Sequence, residues 1–148
     1  MPLPGQYWPE QNAHYAGIAT DGKRHWHILV PAEQDLPKGP WGEYGQDIPG
    51  AQSRFDGHAN TLAMAEAGSP LAITIRALPG DCYLPSQAEA MLCAATMPQI
   101  FQPGYHWTSS QTSRHYAYVQ DFELGYSYWD VKDFEFRAVA VRRILIGE

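Results

Sequence analysis

Between Ala32 and Gly57 the chain carries Pro37, Gly39, Pro40, Gly42, Gly45, Pro49 and Gly50. Proline removes a backbone donor and fixes φ, while glycine has the most conformational freedom to lose on folding, so neither a helix nor a continuous strand spans this stretch. A long loop is expected. It divides the chain into a strand-rich start and a mixed helix-and-strand remainder. Loops of this length inside a compact domain are functional or are pinned by their own side chains, and Trp41, Tyr44 and Phe55 are the available pins.

On the N-terminal side, the proline-rich start MPLPGQYWPEQN reads as an extended arm over residues 1–14. Tyr7 and Trp8 fix it either to the edge of the body or to a neighbouring subunit. Tyr15 to Ala19 and His25 to Val30 read as two strands joined by an Asp21-Gly22 turn, with Pro31 ending the second. His25 and His27 project on one side of that strand and Trp26 on the other. No third ligand follows at a metal-binding spacing, so these histidines face solvent or a partner.

Beyond the loop, Asn60 to Ala67 predicts a helix that stops at Gly68, with Pro70 just past it. Leu71 to Leu78, with Ile73 and Ile75 on one side, predicts a core strand. A second helix is announced by the S-x-x-E spacing of Ser86 and Glu89, carries Met91, Leu92 and Ala95 as its apolar stripe, and closes at Pro98. Tyr116, Tyr118, Gln120 and Phe122 alternate with Ala117, Val119 and Asp121 as in a strand, and Leu124-Gly125 marks a turn. Ala138 to Ile146 predicts a central strand covered on both faces. With 148 residues and no internal repeat, one domain over residues 15–148 follows the arm.

The net charge of −6 provides no basic field for phosphates, which argues against nucleic acid and suits a basic or neutral partner. No export-signal pattern opens the chain and no apolar run approaches the ~20 residues of a membrane span, so no membrane insertion is expected. Cys82 and Cys93 fit neither a disulfide framework nor a zinc pattern and read as reduced and structural. Aromatic residues make up 13% of the chain, an excess that suits a binding face as well as a core.

Those aromatics concentrate between Tyr105 and Trp129. Trp107 and Phe122 are assigned to the core, as are Val139 and Val141; the candidate ligand or partner face is Arg114, His115, Tyr116, Tyr118, Tyr126, Tyr128 and Trp129, the residue types that dominate contact hot spots. Ser109 and Ser110, with His106, His115 and Asp121, are the residue types of a hydrolytic triad, but no G-x-S-x-G elbow positions them. Asp130, Asp133 and Glu135 lie near Arg137, Arg142 and Arg143 in sequence and are expected to form surface ion pairs. No phosphate-binding glycine motif is present. No catalytic residue, cofactor or metal is therefore assigned.

Three short elements, in this order, resemble a known family. Tyr83-Leu-Pro-Ser-Gln-Ala-Glu89 is similar to its W-x-L-P-(S/T)-x-x-E element, Tyr105-His-Trp-Thr-Ser-Ser110 to its Y-W-(S/T)-S element, and Phe136-Arg-Ala-Val-Ala-Val-Arg-Arg143 to its closing V-R-x-V-R strand. The family is the domain-of-unknown-function family 1566, the Lcl C-terminal domain family. The stretch from Gly45 to Ala65 further resembles small members encoded by phages and prophages of Gram-negative bacteria, and the likeness runs from Tyr15 to Ile146.

The resemblance implies an α+β chain with a C-type lectin-like fold: two helices flanking small twisted antiparallel sheets, long loops, and a late loop-rich binding face. It implies a non-enzymatic binding module, a virion component at tail tip, fibre or capsid surface, made in the host cytoplasm and present as a homo-oligomer or in multiple copies. Its partner would be another virion protein or a bacterial surface receptor, protein or glycan. The alternatives are a small intracellular phage protein that inhibits a host factor, and an enzyme on the same scaffold. The calcium motifs of sugar-binding C-type lectins are replaced by Gln102-Pro103-Gly104 and Tyr128-Trp129-Asp130, so no calcium-dependent sugar site is expected. Related formylglycine-generating enzymes rely on reactive cysteines, which the settings of Cys82 and Cys93 do not suggest.

Overall fold

A computed structural model of the chain describes residues 1–147. Among them are three α-helices and seven strands arranged as two antiparallel sheets, an α+β architecture. The first sheet has the order β1-β2-β3-β7, built from Tyr7–Trp8, Ala13–Thr20, His25–Pro31 and Arg142–Ile146; the second has the order β4-β5-β6, built from Tyr105–Gln111, Tyr116–Asp121 and Ser127–Val131.

The N-terminal arm folds onto its own body. Tyr7 and Trp8 pair with His14 and Ala13, and Gly5 N and Tyr15 N close the connection through Tyr15 O and Gln6 O. The β2–β3 hairpin turns where expected. Gly22 takes φ +91°, and the Asp21 carboxylate accepts from the amides of Arg24 and Lys23 at 2.8 and 2.9 Å, which pull its pKa down to about 2.

Helix α1 spans Gly57–Glu66, with Asp56 accepting from Ala59 N as its cap. Residues Pro70–Arg76, part of the stretch expected as a strand, form helix α2. Ser69 caps it and Pro70 occupies its first turn, where the missing amide is not needed. Ile73 and Ile75, expected on one side of a strand, part company: Ile75 is fully buried and Ile73 is 50% exposed. The cap, together with burial of Leu71, Ala72 and Ile75 on one helical face, overrides the β preference of the isoleucines. Helix α3, Gln87–Thr96, carries the expected capping box in full. The helices thus number three, where two were expected.

The last strand is also corrected. Ala138, Ala140 and Val141 are buried, but they lie outside the strand ladder: Gln34 clamps Ala140 through paired amide bonds of 2.7 and 2.9 Å, and Tyr83 exchanges two backbone bonds with Val141. Only Arg142–Ile146 joins a sheet, as the edge strand β7, and Leu145 and Ile146 are exposed. The apolar pattern reported burial correctly for its first half and read it as ladder position.

The largest core cluster gathers Trp41, Ile48, Met64, Leu71, Ile75, Trp107 and Val119, packing the long loop, α1 and α2 against β4 and β5. Trp26, Ile28, Val30, Tyr83, Cys93, Met97, Phe122 and Val141 fill the space around the first sheet and α3. Between these clusters sits one buried carboxylate, Glu89, which receives Trp26 Nε1 at 2.9 Å, Tyr83 OH at 2.6 Å, and the amides of Ser86 and Gly57 at 3.0 Å each. A single side chain therefore ties β3, the start of α1 and the start of α3 together. Gly57 has no room for a side chain: an added Cβ would lie 2.5 Å from Glu89 Oε1 and 2.6 Å from Leu84 O.

Candidate functional site

The second sheet positions the late aromatics. Asp121 N donates to Tyr126 O at the start of the β5–β6 hairpin, and Gly125, at φ +85°, donates back to Asp121 O. This fixes the register: Gln120 opposes Ser127, Val119 opposes Tyr128, Tyr118 opposes Trp129 and Tyr116 opposes Val131. Directly opposed residues share a face, so Tyr118 and Trp129 lie on one side and Val119 and Tyr128 on the other. Strand β6 is the sheet's edge, and there the aromatics of the two faces meet: the Tyr128 and Trp129 rings stack at 4.8 Å.

From this pair an aromatic run continues around the edge. Tyr128 contacts Tyr126 and Tyr105 at ring distances of 6.3 and 6.4 Å, the Tyr105 and Tyr126 hydroxyls are 3.1 Å apart, and Tyr105 meets Phe136 edge-on at 5.5 Å, with Phe134 beyond. The bond to Tyr126 leads the factors that push the Tyr105 phenol up to about 12. Tyr126, Tyr128, Trp129 and Phe134 are all more than 40% exposed.

The remaining candidates lie toward the other end of the hairpin. Arg114 is exposed in the β4–β5 turn, and its carbonyl holds Gly45 of the long loop. His115 stacks on Tyr44 at 4.6 Å, and Tyr116 is 37% exposed beside it. Tyr118 is half-buried: the Arg54 guanidinium lies 5.3 Å over its ring and donates to its hydroxyl at 2.7 Å. The proposed face therefore resolves into an aromatic edge at Tyr126, Tyr128 and Trp129 and a loop-braced group at Arg114, His115 and Tyr116, linked by the Tyr118–Trp129 pair. Trp41 is buried as the loop's expected pin, whereas Tyr44 and Phe55 are exposed. Two buried side-chain atoms lack a hydrogen-bond partner among the described residues, His115 Nδ1 and Gln120 Oε1, and both belong to this hairpin.

Tyr105, Phe134 and Phe136 complete the aromatic edge and were not among the candidate residues. The Phe134-Glu135-Phe136 alternation was the available signal. Beside them opens a cleft of about 420 Å³ lined by Tyr105, Tyr126 and Phe136, by the carboxylates of Asp121, Glu123 and Glu135, and by Lys38 and Arg137. Asp121 is 5% exposed; its Oδ1 accepts from Glu123 N, and its Oδ2 has no hydrogen bond or ion pair among the described residues.

The expected ion pairs of Asp130, Asp133 and Glu135 do not form. Arg142 is taken by Gln11, and Arg143 reaches Asp56 and lies 4.9 Å over the Trp26 ring. All ion pairs among the described residues involve Asp21, Asp56 or Asp81. Sequence proximity placed acids and arginines together, but β7 carries Arg142 and Arg143 into the other sheet, while Arg137 stays beside the acids at the cleft without an ion pair among the described residues.

Of the residues of triad type, Ser109, Ser110 and His106 are committed to the scaffold. Ser109 Oγ accepts from Asn60, Ser110 Oγ donates to Ser53 O and accepts from Gln87 N, and buried His106 holds Gly104 O at 3.3 Å. Burial drives the His106 pKa down to about 4 and raises those of both free thiols, Cys82 and Cys93. His27 Nδ1 meets Tyr15 OH at 2.7 Å, and no group of three or more His, Cys, Asp or Glu side chains that could hold a metal occurs among the described residues. Among the same residues no helix is long and apolar enough to cross a membrane.

Comparison of the chain with protein-family models, with curated proteins and with solved structures finds no match.

Proposed function

We propose that this chain is a non-enzymatic binding module of phage or prophage origin, with a C-type lectin-like fold, belonging with the domain-of-unknown-function family 1566. The observation that carries the binding reading is the exposed aromatic edge, in which Tyr126, Tyr128 and Trp129 contact one another while remaining open to solvent. Rigid aromatic side chains give large contact area at low entropic cost, and exposed clusters of them mark interaction sites. The fold assignment is supported by the three sequence elements quoted above and by their positions: the Pro-Ser-x-x-Glu element forms the capped start of α3 around Glu89, and the closing arginines lie on β7.

The module is a virion component that docks on another virion protein or on a bacterial surface molecule, and acts in multiple copies, since weak single contacts gain strongly from multivalency. Two experiments test this. Purified particles analysed by mass spectrometry should contain the chain; its consistent absence favours the alternative of an intracellular inhibitor. Replacing Tyr116, Tyr126 and Trp129 together by alanine should abolish attachment or assembly while leaving the circular dichroism spectrum intact. Unchanged attachment and assembly would refute the aromatic edge as the docking face.

A further inference from the structure

Resting on the reading of this face as a docking surface, we propose the chemistry of its partner: an arginine side chain, carried on an extended protein segment laid along β6, enters the cleft between Tyr105, Tyr126 and Phe136. Charge argues first. Asp121, Glu123, Asp130, Asp133 and Glu135 all fall on the hairpin and the turn that follows it, and none makes an ion pair among the described residues. The only cation within that stretch, Lys132, is fully buried, its Nζ held by Gln46 O and Gln111 Oε1. A neutral saccharide would leave these carboxylates unneutralised; a cationic segment complements them.

The cleft narrows the choice of cation. Its lining includes the aromatic residues Tyr105, Tyr126 and Phe136 and buried Asp121, whose Oδ2 is unpartnered among the described residues. A guanidinium is planar, stacks on aromatic faces and presents paired donors to a carboxylate, so it matches both features at once, where an ammonium offers only a point charge. Lys38 and Arg137 also line the cleft, leaving three carboxylates against two cations there; Arg137 borders as well an adjoining cavity that contains Asp35.

Backbone geometry argues for an extended partner. Because Asp121 N bonds Tyr126 O just before β6, the residues of β6 that bond β5 are Tyr128 and Asp130, and the backbone groups of Ser127 and Trp129 point away from the sheet. Farther along, the edge is already closed: Asp130 Oδ1 takes Val131 N, and Val131 O takes Phe134 N. Strand addition is thus confined to Ser127–Trp129, beside the cleft.

The test uses the isotope-labelled full chain and two matched peptides, Gly-Thr-Arg-Thr-Arg-Thr-Gly and its twin with glutamine at both arginines. The arginine peptide should shift the amide resonances of Tyr105, Asp121, Ser127 and Trp129. Its affinity should fall about tenfold when salt rises from about 0.03 to about 0.3 M, and about tenfold in the exposed double variant Glu123→Gln/Glu135→Gln. Equal binding of the glutamine twin, unchanged binding by the double variant, or shifts of the same resonances by maltotriose in place of the arginine peptide would overturn the proposal. Two further outcomes separate it from the docking reading. If the triple aromatic variant loses attachment or assembly yet the arginine peptide fails to bind, the face stands and its chemistry falls. If the arginine peptide binds while that variant attaches and assembles normally, the cleft's preference for arginine stands and the reading of this edge as the docking face falls.

Discussion

Carboxylates are used in opposite ways at the centre of the molecule and along its β6 edge. Glu89 is fully buried, and four donors converge on it from β3, the starts of α1 and α3, and the segment between α2 and α3. Burial raises its pKa even though Tyr83, Ser86 and Trp26 hold its charged form. On the edge, Asp121, Glu123, Asp130, Asp133 and Glu135 find no cationic partner among the described residues, and the aromatics beside them stay exposed. A carboxylate enclosed by donors fixes the relation between elements, because removing it strands buried groups. Asp121 and Asp130 each accept one local amide, whereas exposed Glu123 and Glu135 hold nothing in the fold and are available to something outside it.

The centre should therefore be the most fragile part of the chain. Glu89→Ala orphans the Trp26 indole, the Tyr83 hydroxyl and two amides, and is expected to cost about 3–5 kcal/mol, read as a lower denaturant midpoint. Glu89→Gln keeps the shape but turns an amide donor toward donors, and should cost about 2 kcal/mol. Glu135→Gln on the edge should change stability by less than about 0.5 kcal/mol. Equal effects at Glu89 and Glu135 would break the comparison.

Lys132 sharpens it. The residue sits among the edge carboxylates in sequence yet turns inward, its Nζ 4.7 Å over the Trp41 ring and bonded to Gln46 O, so it pins the long loop. Lys132→Ala should destabilise the chain by about 2–4 kcal/mol and expose the stretch from Ala32 to Gly57 to limited proteolysis. Burial lowers its pKa from 10.5 to about 8. Between these values the unfolded chain binds the extra proton, so this site makes stability rise with pH over that window. The rise should vanish in Lys132→Met, as seen by comparing urea midpoints of the two proteins across it.

The parts of the fold that local rules govern were legible in the sequence. The Asp21-Gly22 turn, the Ser86–Glu89 capping box and the Leu124-Gly125 turn each depend on a few adjacent residues, and each occurs where expected. The errors came from tertiary context. Leu71 to Leu78 carried an apolar pattern that either a strand or a helix could use, and the Ser69-Pro70 start decided it. Arg142 and Arg143 were close to the acids in sequence, but strand order separated them. The aromatic edge was visible at Tyr126, Tyr128 and Trp129 because hot-spot residues cluster there, whereas Tyr105 and Phe136 join it only through ring contacts that no spacing rule encodes.

His106 tests the centre by acid. Its pKa is 6.5 when unperturbed and about 4 in the fold, because burial opposes the charged ring. The unfolded chain takes up a proton in that interval and the folded chain does not, so the contribution is fully present above pH 6.5 and is lost as pH falls toward 4, by on the order of 3 kcal/mol. Glu89, with its raised pKa, contributes in the opposite sense. The informative quantity is thus the difference between the native chain and His106→Gln, whose stability should fall less steeply over that interval.

The smallest expected effect lies on the aromatic edge. Trp129→Ala and Tyr128→Ala remove rings that stack on each other at 4.8 Å but are 49% and 44% exposed, so each gives up part of one contact and little burial. Each should shift stability by about 0.5 kcal/mol or less, and the double variant should cost less than the sum, since the second substitution removes a ring whose partner is already gone. If either variant instead unfolds the chain at moderate urea, the edge is part of the scaffold, and its exposed rings are held for the fold and not for a partner.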